Sequence, residues 1–201
     1  MPTGVALRDV REQLFAAADR ILLRDGPSAL TSRAVTTEAG CAKGVLHKHF
    51  ADFDDFLAEF VLARVDRMDP QAAALREVAG DGTVEDNLTD ALIALFGSVA
   101  VAIVALVTFR DELRARLRRS LPAGVPVLTE AATMIGDYLF TERDLGRIAA
   151  DADVHTLSAM LIGSAHLLFA DRDGPAPERD AVRKVVGAVI SSAGREPGSG
   201  R

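Results

Sequence analysis

Four histidines, one cysteine and a scatter of serines and aspartates are the residues of this chain that could do chemistry. His47 and His49 stand two apart, and on a helix positions i and i+2 point away from each other, so the pair cannot share a metal ion. His155 and His166 are eleven apart, three turns along one helix face and about 16 Å by helical rise. The single cysteine, Cys41, can close no internal disulfide, and no Cys/His cluster has zinc spacing. A disulfide-stapled scaffold and a zinc finger are therefore excluded. Cys41 reads as a small buried hydrophobe, with a reactive thiol as the alternative. There is no G-x-G-x-x-G after a strand, no P-loop and no G-x-S-x-G, so the polar side chains form no catalytic set. Neither enzyme activity, nor a metal, nor a cofactor is expected.

The elements that must position these residues are helices throughout. Arg8–Asp25 carries the stripe Val10, Leu14, Ala17, Ala18 and Ile21 and stops at Gly26-Pro27. Thr31 is placed to cap a short helix that runs to Ala39 and ends at Gly40. A second short helix follows over about Lys43–His49, so residues 31–50, TSRAVTTEAGCAKGVLHKHF, have helix-turn-helix geometry. Val35, Ala39 and Leu46 must face inward against Ile21 and Phe50, and Gly40 supplies the positive φ of the turn. Asp52 caps a longer helix with the stripe Phe53, Phe56, Leu57, Phe60, Val61 and Val65, running to Met68. Pro70 either kinks it or opens a separate piece to Ala79. After the Gly80-Asp81-Gly82 loop, one very long helix is expected from Thr83 or Val84 to about Phe109, continued helically by Arg110–Arg119. Leu121–Pro126 breaks it, and Val127–Thr141, Asp153–Ala170 and Glu178–Ala193 are three further helices. No segment alternates with period two, so the expected fold is all-α. The expected domains are a helix-turn-helix head over 1–50, extended to 68 by the connecting helix, a helical body over 69–193, and a disordered tail over 194–201.

The formal net charge of -6 argues against a nucleic-acid partner until it is divided along the chain. Residues 1–50 hold seven basic and five acidic groups, whereas residues 51–201 carry a net charge of -8. A mildly basic head thus precedes a long acidic body, which suggests two jobs. Ala91–Phe109 is nineteen residues without a charge, long enough to span a bilayer. It is rich in Ala and Gly and sits between amphipathic helices, so the central helix of a soluble bundle is the expected reading. The N-terminus, MPTGVALRDVREQ, has no apolar signal core, and cytoplasmic residence is expected.

At residues 31–50 the chain resembles the tetracycline-repressor (TetR) family of bacterial transcription regulators. The matching run is Thr31-Ser32-Arg33-Ala34-Val35, then Ala39 to Phe50 with Lys43-Gly44-Val45-Leu46-His47-Lys48-His49, followed by Phe53, Phe56 and Leu57. The resemblance covers about residues 8–68 at motif level. It implies a homodimer placing the second short helix of each subunit in successive major grooves of a pseudo-palindromic operator. Carried over by position, the DNA-binding residues are Thr31, Ser32, Arg33, Lys43, Gly44, Val45, His47, Lys48 and His49. Thr31 and Lys43 would grip phosphates, Gly44 and Val45 would face bases, and Lys48 and His49 would add backbone contacts. Arg33 would read a base or a phosphate. Three departures stand out: Ala42 for the usual capping Ser, His47 for a phosphate-contacting Tyr, and acidic Asp52, Asp54 and Asp55 where lysines are common. The last would repel phosphate, so weaker non-specific DNA binding is expected.

The same resemblance implies a regulatory body with a buried pocket and a dimer seam. The expected pocket residues are Phe60, Phe96, Val99, Ala100, Ile103, Met134, Tyr138 and His166, with Tyr138 and His166 as polar anchors in a mostly apolar wall. The effector would be a hydrophobic or amphipathic small molecule that shifts the 52–68 helix and respaces the heads. The expected seam pairs the 153–170 and 178–193 helices into a four-helix bundle through Ala159, Gly163, Val182, Val186 and Val189. The alternative is that these stripes pack only within one chain. The expected function is a ligand-responsive transcriptional regulator, most simply a repressor. The alternatives are a helical adaptor without DNA activity, or a membrane-anchored protein using 91–109.

Overall fold

A computed structural model describes residues 4–121, 124–171 and 174–193. The expected tail over 194–201 lies outside the described residues. Among the described residues there are helices and no strand. In order they are α1 (Gly4–Arg24), α2 (Ser32–Glu38), α3 (Leu46–His49), α4 (Phe53–Asp66), α5 (Met68–Glu77), α6 (Val84–Phe96), α7 (Ala100–Thr108), α8 (Asp111–Leu117), α9 (Leu128–Asp144), α10 (Val154–Phe169) and α11 (Arg179–Ala193). A short 3-10 turn, Pro27–Ala29, joins α1 to α2. The chain divides into two compact units, Met1–Asp66 with Ala102–Pro126, and Arg67–Val101 with Val127–Arg201.

The first unit is built on aromatic packing. Phe15 of α1, Phe50 and Phe56 form a cluster with ring centroids 5.1 to 6.0 Å apart, and Phe60 extends it along α4. Val35, Ala39, Leu46, Ile21 and Phe50 are all buried, as the inward positions of a helix-turn-helix require. Arg64 of α4 is buried and donates two hydrogen bonds to the Asp19 carboxylate of α1, at 2.7 and 2.9 Å. In the same unit α8 packs on α4.

In the second unit α9 lies against α5 and α10, while α11 packs on α6 and α10. Tyr138 of α9 is fully buried, with its hydroxyl 3.0 Å from the Asn87 amide that donates to it. Glu142, one turn further on, is also fully buried; its carboxylate accepts from the Gly80 backbone N–H at 3.3 Å and meets Arg147 at 3.3 Å. The Gly80–Gly82 loop is thereby tied to α9.

Two expected elements differ. The long helix to Phe109 is broken at Gly97–Val99 into α6 and α7, and α8 begins separately after Arg110, which is extended (φ -125°, ψ 99°). At the break, Gly97 sits so close to the preceding turn that a Cβ there would come within 2.7 Å of the Ile93 carbonyl oxygen. The Ser98 hydroxyl also donates to the Leu95 carbonyl, offering the backbone a partner outside the helical ladder. Consequently no single helix among the described residues is long and apolar enough to cross a membrane. The second short helix is also shorter than expected, because Lys43 and Gly44 form a turn and α3 begins only at Leu46. Ala42 offers no capping oxygen and Gly44 is a weak helix former, so the first turn does not close. Pro70 falls in the first turn of α5, where its missing N–H costs nothing, so α4 and α5 are separate helices.

Candidate nucleic-acid interface and ligand cavity

The helix-turn-helix is held by side chains from α1. The Gln13 amide donates to the Ala39 carbonyl at 2.8 Å, fixing the end of α2 next to Gly40, whose φ of 66° makes the turn. The Arg11 guanidinium lies 4.6 Å over the Phe50 ring, donates to the His49 carbonyl at 3.4 Å and pairs with Glu59 of α4. One arginine thus joins the end of α3 to α1 and α4. Thr31 caps α2, its Oγ1 accepting from the Ala34 N–H at 3.1 Å. Neither Gln13 nor Arg11 was legible as a site residue, since both sit on the polar side of α1 and carry no local signature.

Geometry sorts the cations of the head into two groups. Arg20 pairs with Glu38 at 2.7 Å, and Arg24 with Asp25 and Glu38 at 2.8 and 3.1 Å. Hydrogen bonds from Arg20 and then Arg24 hold the Glu38 carboxyl below the usual carboxylate range. Arg33, Lys43 and Lys48, by contrast, are exposed and have no ion-pair partner among the described residues. Thr31, Gly44 and His47 are exposed as well, while Ser32, Val45 and His49 are half-buried. Cys41 is half-buried, its Sγ 3.6 Å from the Ala39 carbonyl.

The acidic segment behind Phe50 has ion-pair partners that no local sequence pattern indicates. Arg116 of α8 donates to both oxygens of Asp52 at 2.8 and 2.7 Å, and Arg110 reaches Asp54 at 2.7 Å. Asp55 accepts from the Ala51 N–H at 2.9 Å. Arg116, followed by the Asp55 backbone N–H, holds the Asp52 carboxyl below its ordinary range. The partners lie more than fifty residues downstream, beyond the reach of any local pattern.

In the second unit, α5, α6 and α9 border a half-open cavity of about 260 Å³ lined by Gln71, Ala74, Leu75, Val78, Asn87, Asp90, Ala91, Ala94 and Met134. Its wall is mainly apolar, with one amide on each side and the Asp90 carboxylate, which Arg179 of α11 meets at 3.0 Å.

The comparison with solved structures settles the architecture. The chain has the fold of TetR-family transcriptional regulators. It is similar to the reduced form of NemR from E. coli, with a TM-score of 0.72 and 13% identity over 94% of this chain and 100% of that one. A TetR transcription regulator from Haloarcula marismortui matches with a TM-score of 0.68 and 18% identity, covering 92% and 98%. FadR from Bacillus subtilis, solved in complex with stearoyl-CoA, matches at 0.65 and 16%, covering 90% and 97%. No family model matches the chain. Among curated proteins, an uncharacterized HTH-type transcriptional regulator of Haemophilus influenzae is 34% identical over 55 residues, 27% of this chain and 29% of that protein. The chain therefore spans under a third of that relative's length.

Within this TetR-type fold the expected pocket residues scatter. Met134 lines the cavity. Tyr138 is buried beside it, and burial, followed by its contact with Glu142, raises its phenol above the ordinary range. Phe60 and Ile103 belong to the first unit, Phe60 inside the aromatic cluster. Phe96 packs 6.0 Å from both His166 and Phe169, and Val99 and Ala100 are buried at the helix break. His166 does not line the cavity; its Nδ1 is buried with no hydrogen-bond partner, and burial lowers its pKa. The expected seam residues also divide. Val182, Val186 and Val189 are buried inside the chain, on a helix that α6 also holds through Arg179 with Asp86 and Asp90. Ala159 and Gly163 are exposed on α10, next to exposed Met160 and Leu167. The one-chain packing held open for the α11 stripe is what these three valines do, because an amphipathic stripe is equally satisfied by intrachain burial.

Proposed function

We propose that this chain is a ligand-responsive DNA-binding transcriptional regulator, a repressor that a small molecule releases from a pseudo-palindromic operator. One observation carries the reading. On a TetR-type fold, the helix-turn-helix presents three exposed cations without an ion-pair partner among the described residues, Arg33, Lys43 and Lys48, together with the Thr31 hydroxyl. Lys43 and Lys48 contact phosphates, Thr31 donates its hydroxyl proton to another, and Arg33 reaches a base or phosphate from α2. Gly44 and Val45 approach the base edges, Val45 offering apolar contact to a thymine methyl. Ser32, His47 and His49 complete the interface. The protein works as a homodimer so that two α3 helices meet two half-sites, with exposed Ala159 and Gly163 of α10 in the seam.

The effector occupies the cavity between α5, α6 and α9. At about 260 Å³ it falls below the roughly 300–1,000 Å³ of drug-sized sites, which suits a small effector. An apolar body with one hydrogen-bond donor directed at Asp90 or Asn87 fits the lining. Of the cavity helices, α5 follows α4 directly in the chain and α6 leads into α7 and α8, which gives the effector two covalent routes to the head. Any shift in DNA affinity is capped by the effector's differential affinity for the two conformations.

The test is fluorescence-anisotropy binding to duplexes tiling the DNA that flanks the chain's own gene, with a random-sequence duplex as reference. Saturable binding at least a hundredfold tighter to one tile supports the reading. Equal binding to every tile and to random DNA rejects it.

A further inference from the structure

The ion pairs behind the recognition helix do more than the DNA-binding reading asks of them. Phe50 follows α3 in extended conformation (φ -137°, ψ 142°), so Asp52 is only four residues from exposed Lys48, at most about 14 Å along the chain. That distance is little more than one Debye length at about 0.1 M salt. Asp52, Asp54 and Asp55 stand at the N-terminal end of α4, where the helix dipole favours them and where, unpaired, their charge would repel a phosphate gripped by nearby Lys48. Arg116 closes on Asp52 with two parallel hydrogen bonds, and Arg110 closes on Asp54 while lying 5.7 Å over the Phe53 ring. Asp52 meanwhile caps α4, accepting from the Asp55 N–H at 2.8 Å, a task that asparagine performs equally well without charge. Charge at position 52 is therefore unnecessary for the fold, and so is its neutralisation. Both pairs are half-buried, and ion pairs that water still reaches contribute little to stability.

We infer that Arg110 and Arg116 are positioning residues of the DNA interface, masking two carboxylates beside the recognition helix that would otherwise repel the phosphate backbone. The inference rests on the DNA-binding reading and concerns the affinity of the same interface.

The experiment uses the full chain and compares wild type, Arg110→Gln/Arg116→Gln, Asp52→Asn/Asp54→Asn and the fourfold variant. Binding to the preferred tile and to a random-sequence duplex is measured from about 50 to about 300 mM salt. The arginine variant is expected to bind both duplexes roughly five- to tenfold more weakly at low salt, with the deficit shrinking as salt rises. The fourfold variant is expected to return to within about twofold of wild type. Unchanged affinity in the arginine variant overturns the inference. So does a deficit that is independent of salt or persists in the fourfold variant, which would mean a structural role or direct phosphate contact by the arginines. Arg116→Lys retains the masking charge and is expected to bind like wild type even if the glutamine variant folds poorly; a loss there also counts against the inference. Wild type that binds no DNA removes the regulator reading and the inference together, whereas wild-type binding with an unmoved arginine variant removes only the inference.

Discussion

The Asp19–Arg64 pair makes the sharpest energetic prediction. The Arg64 side chain is 6% exposed and that of Asp19 22%, and the guanidinium carbon lies 4.8 Å over Phe60 and 5.8 Å over Phe15. The two ends of the pair are thus unequal. Asp19→Ala removes the carboxylate and leaves a nearly dry guanidinium, already carrying one unsatisfied Nη1, without its charge partner. Breaking a buried pair in this way costs about 3 kcal/mol. Arg64→Met instead refills the space between the two rings with apolar volume and leaves Asp19 in touch with water, so it costs roughly 1 kcal/mol. The double variant Asp19→Leu/Arg64→Met is expected within about 1 kcal/mol of wild type, because neither desolvated charge remains. Urea unfolding followed by far-UV circular dichroism reads all three, provided the denaturant slope is unchanged. If Arg64→Met is as damaging as Asp19→Ala, the asymmetry argued from burial is wrong. If Asp19→Ala costs less than about 1 kcal/mol, the guanidinium is hydrated in the folded state.

Further predictions concern the interface, titration and assembly. Lys43→Ala and Lys48→Ala are each expected to weaken binding to specific and random DNA alike and to lower the slope of log K against log salt by about one; a change confined to one sequence would mean base readout. His166 is held neutral by burial, so its pKa in the folded chain lies below that in the unfolded chain. The unfolded chain then binds the extra proton as pH falls below about 6.5, and stability drops on the acid side; His166→Leu is expected to flatten that limb between pH 7 and about 5.5 in thermal melts. Tyr138, raised by burial, works in the opposite direction. The unfolded phenol loses its proton first as pH climbs past about 10, so stability falls there, and Tyr138→Phe is expected to remove that decline while costing about 1 kcal/mol at neutral pH. Leu167, 76% exposed on α10, gives the assembly test. Leu167→Arg is expected to yield a helical monomer by sedimentation with little operator binding, and an unchanged sedimentation coefficient would place the seam elsewhere.

The helix-turn-helix was legible almost residue by residue, because Thr31 as a cap, Gly40 as a left-handed turn and buried Val35, Ala39 and Leu46 are local requirements with local signatures. The break at Gly97–Val99 was not, since nineteen uncharged residues satisfy helical periodicity whether or not one backbone carbonyl crowds a missing Cβ. Pocket and core were indistinguishable for the same kind of reason. Phe60, Ile103 and Met134 are all apolar residues on helical stripes, and of these Met134 lines the cavity between α5, α6 and α9.

What the sequence determined by itself was the set of short-range commitments: where helices start and stop, which stripe is apolar, and that a mildly basic head precedes an acidic body. What the tertiary structure alone decided was which charges remain available. Arg11, Arg20 and Arg24 look as ready for phosphate as Arg33, Lys43 and Lys48 until Glu59 and Glu38 are found against them. Asp52 and Asp54 look like a barrier until Arg116 and Arg110 arrive from α8. The physical reason is range. Capping and periodicity act within a turn or two of helix, whereas an ion pair depends on distance in space, and Arg116 and Asp52 stand sixty-four positions apart.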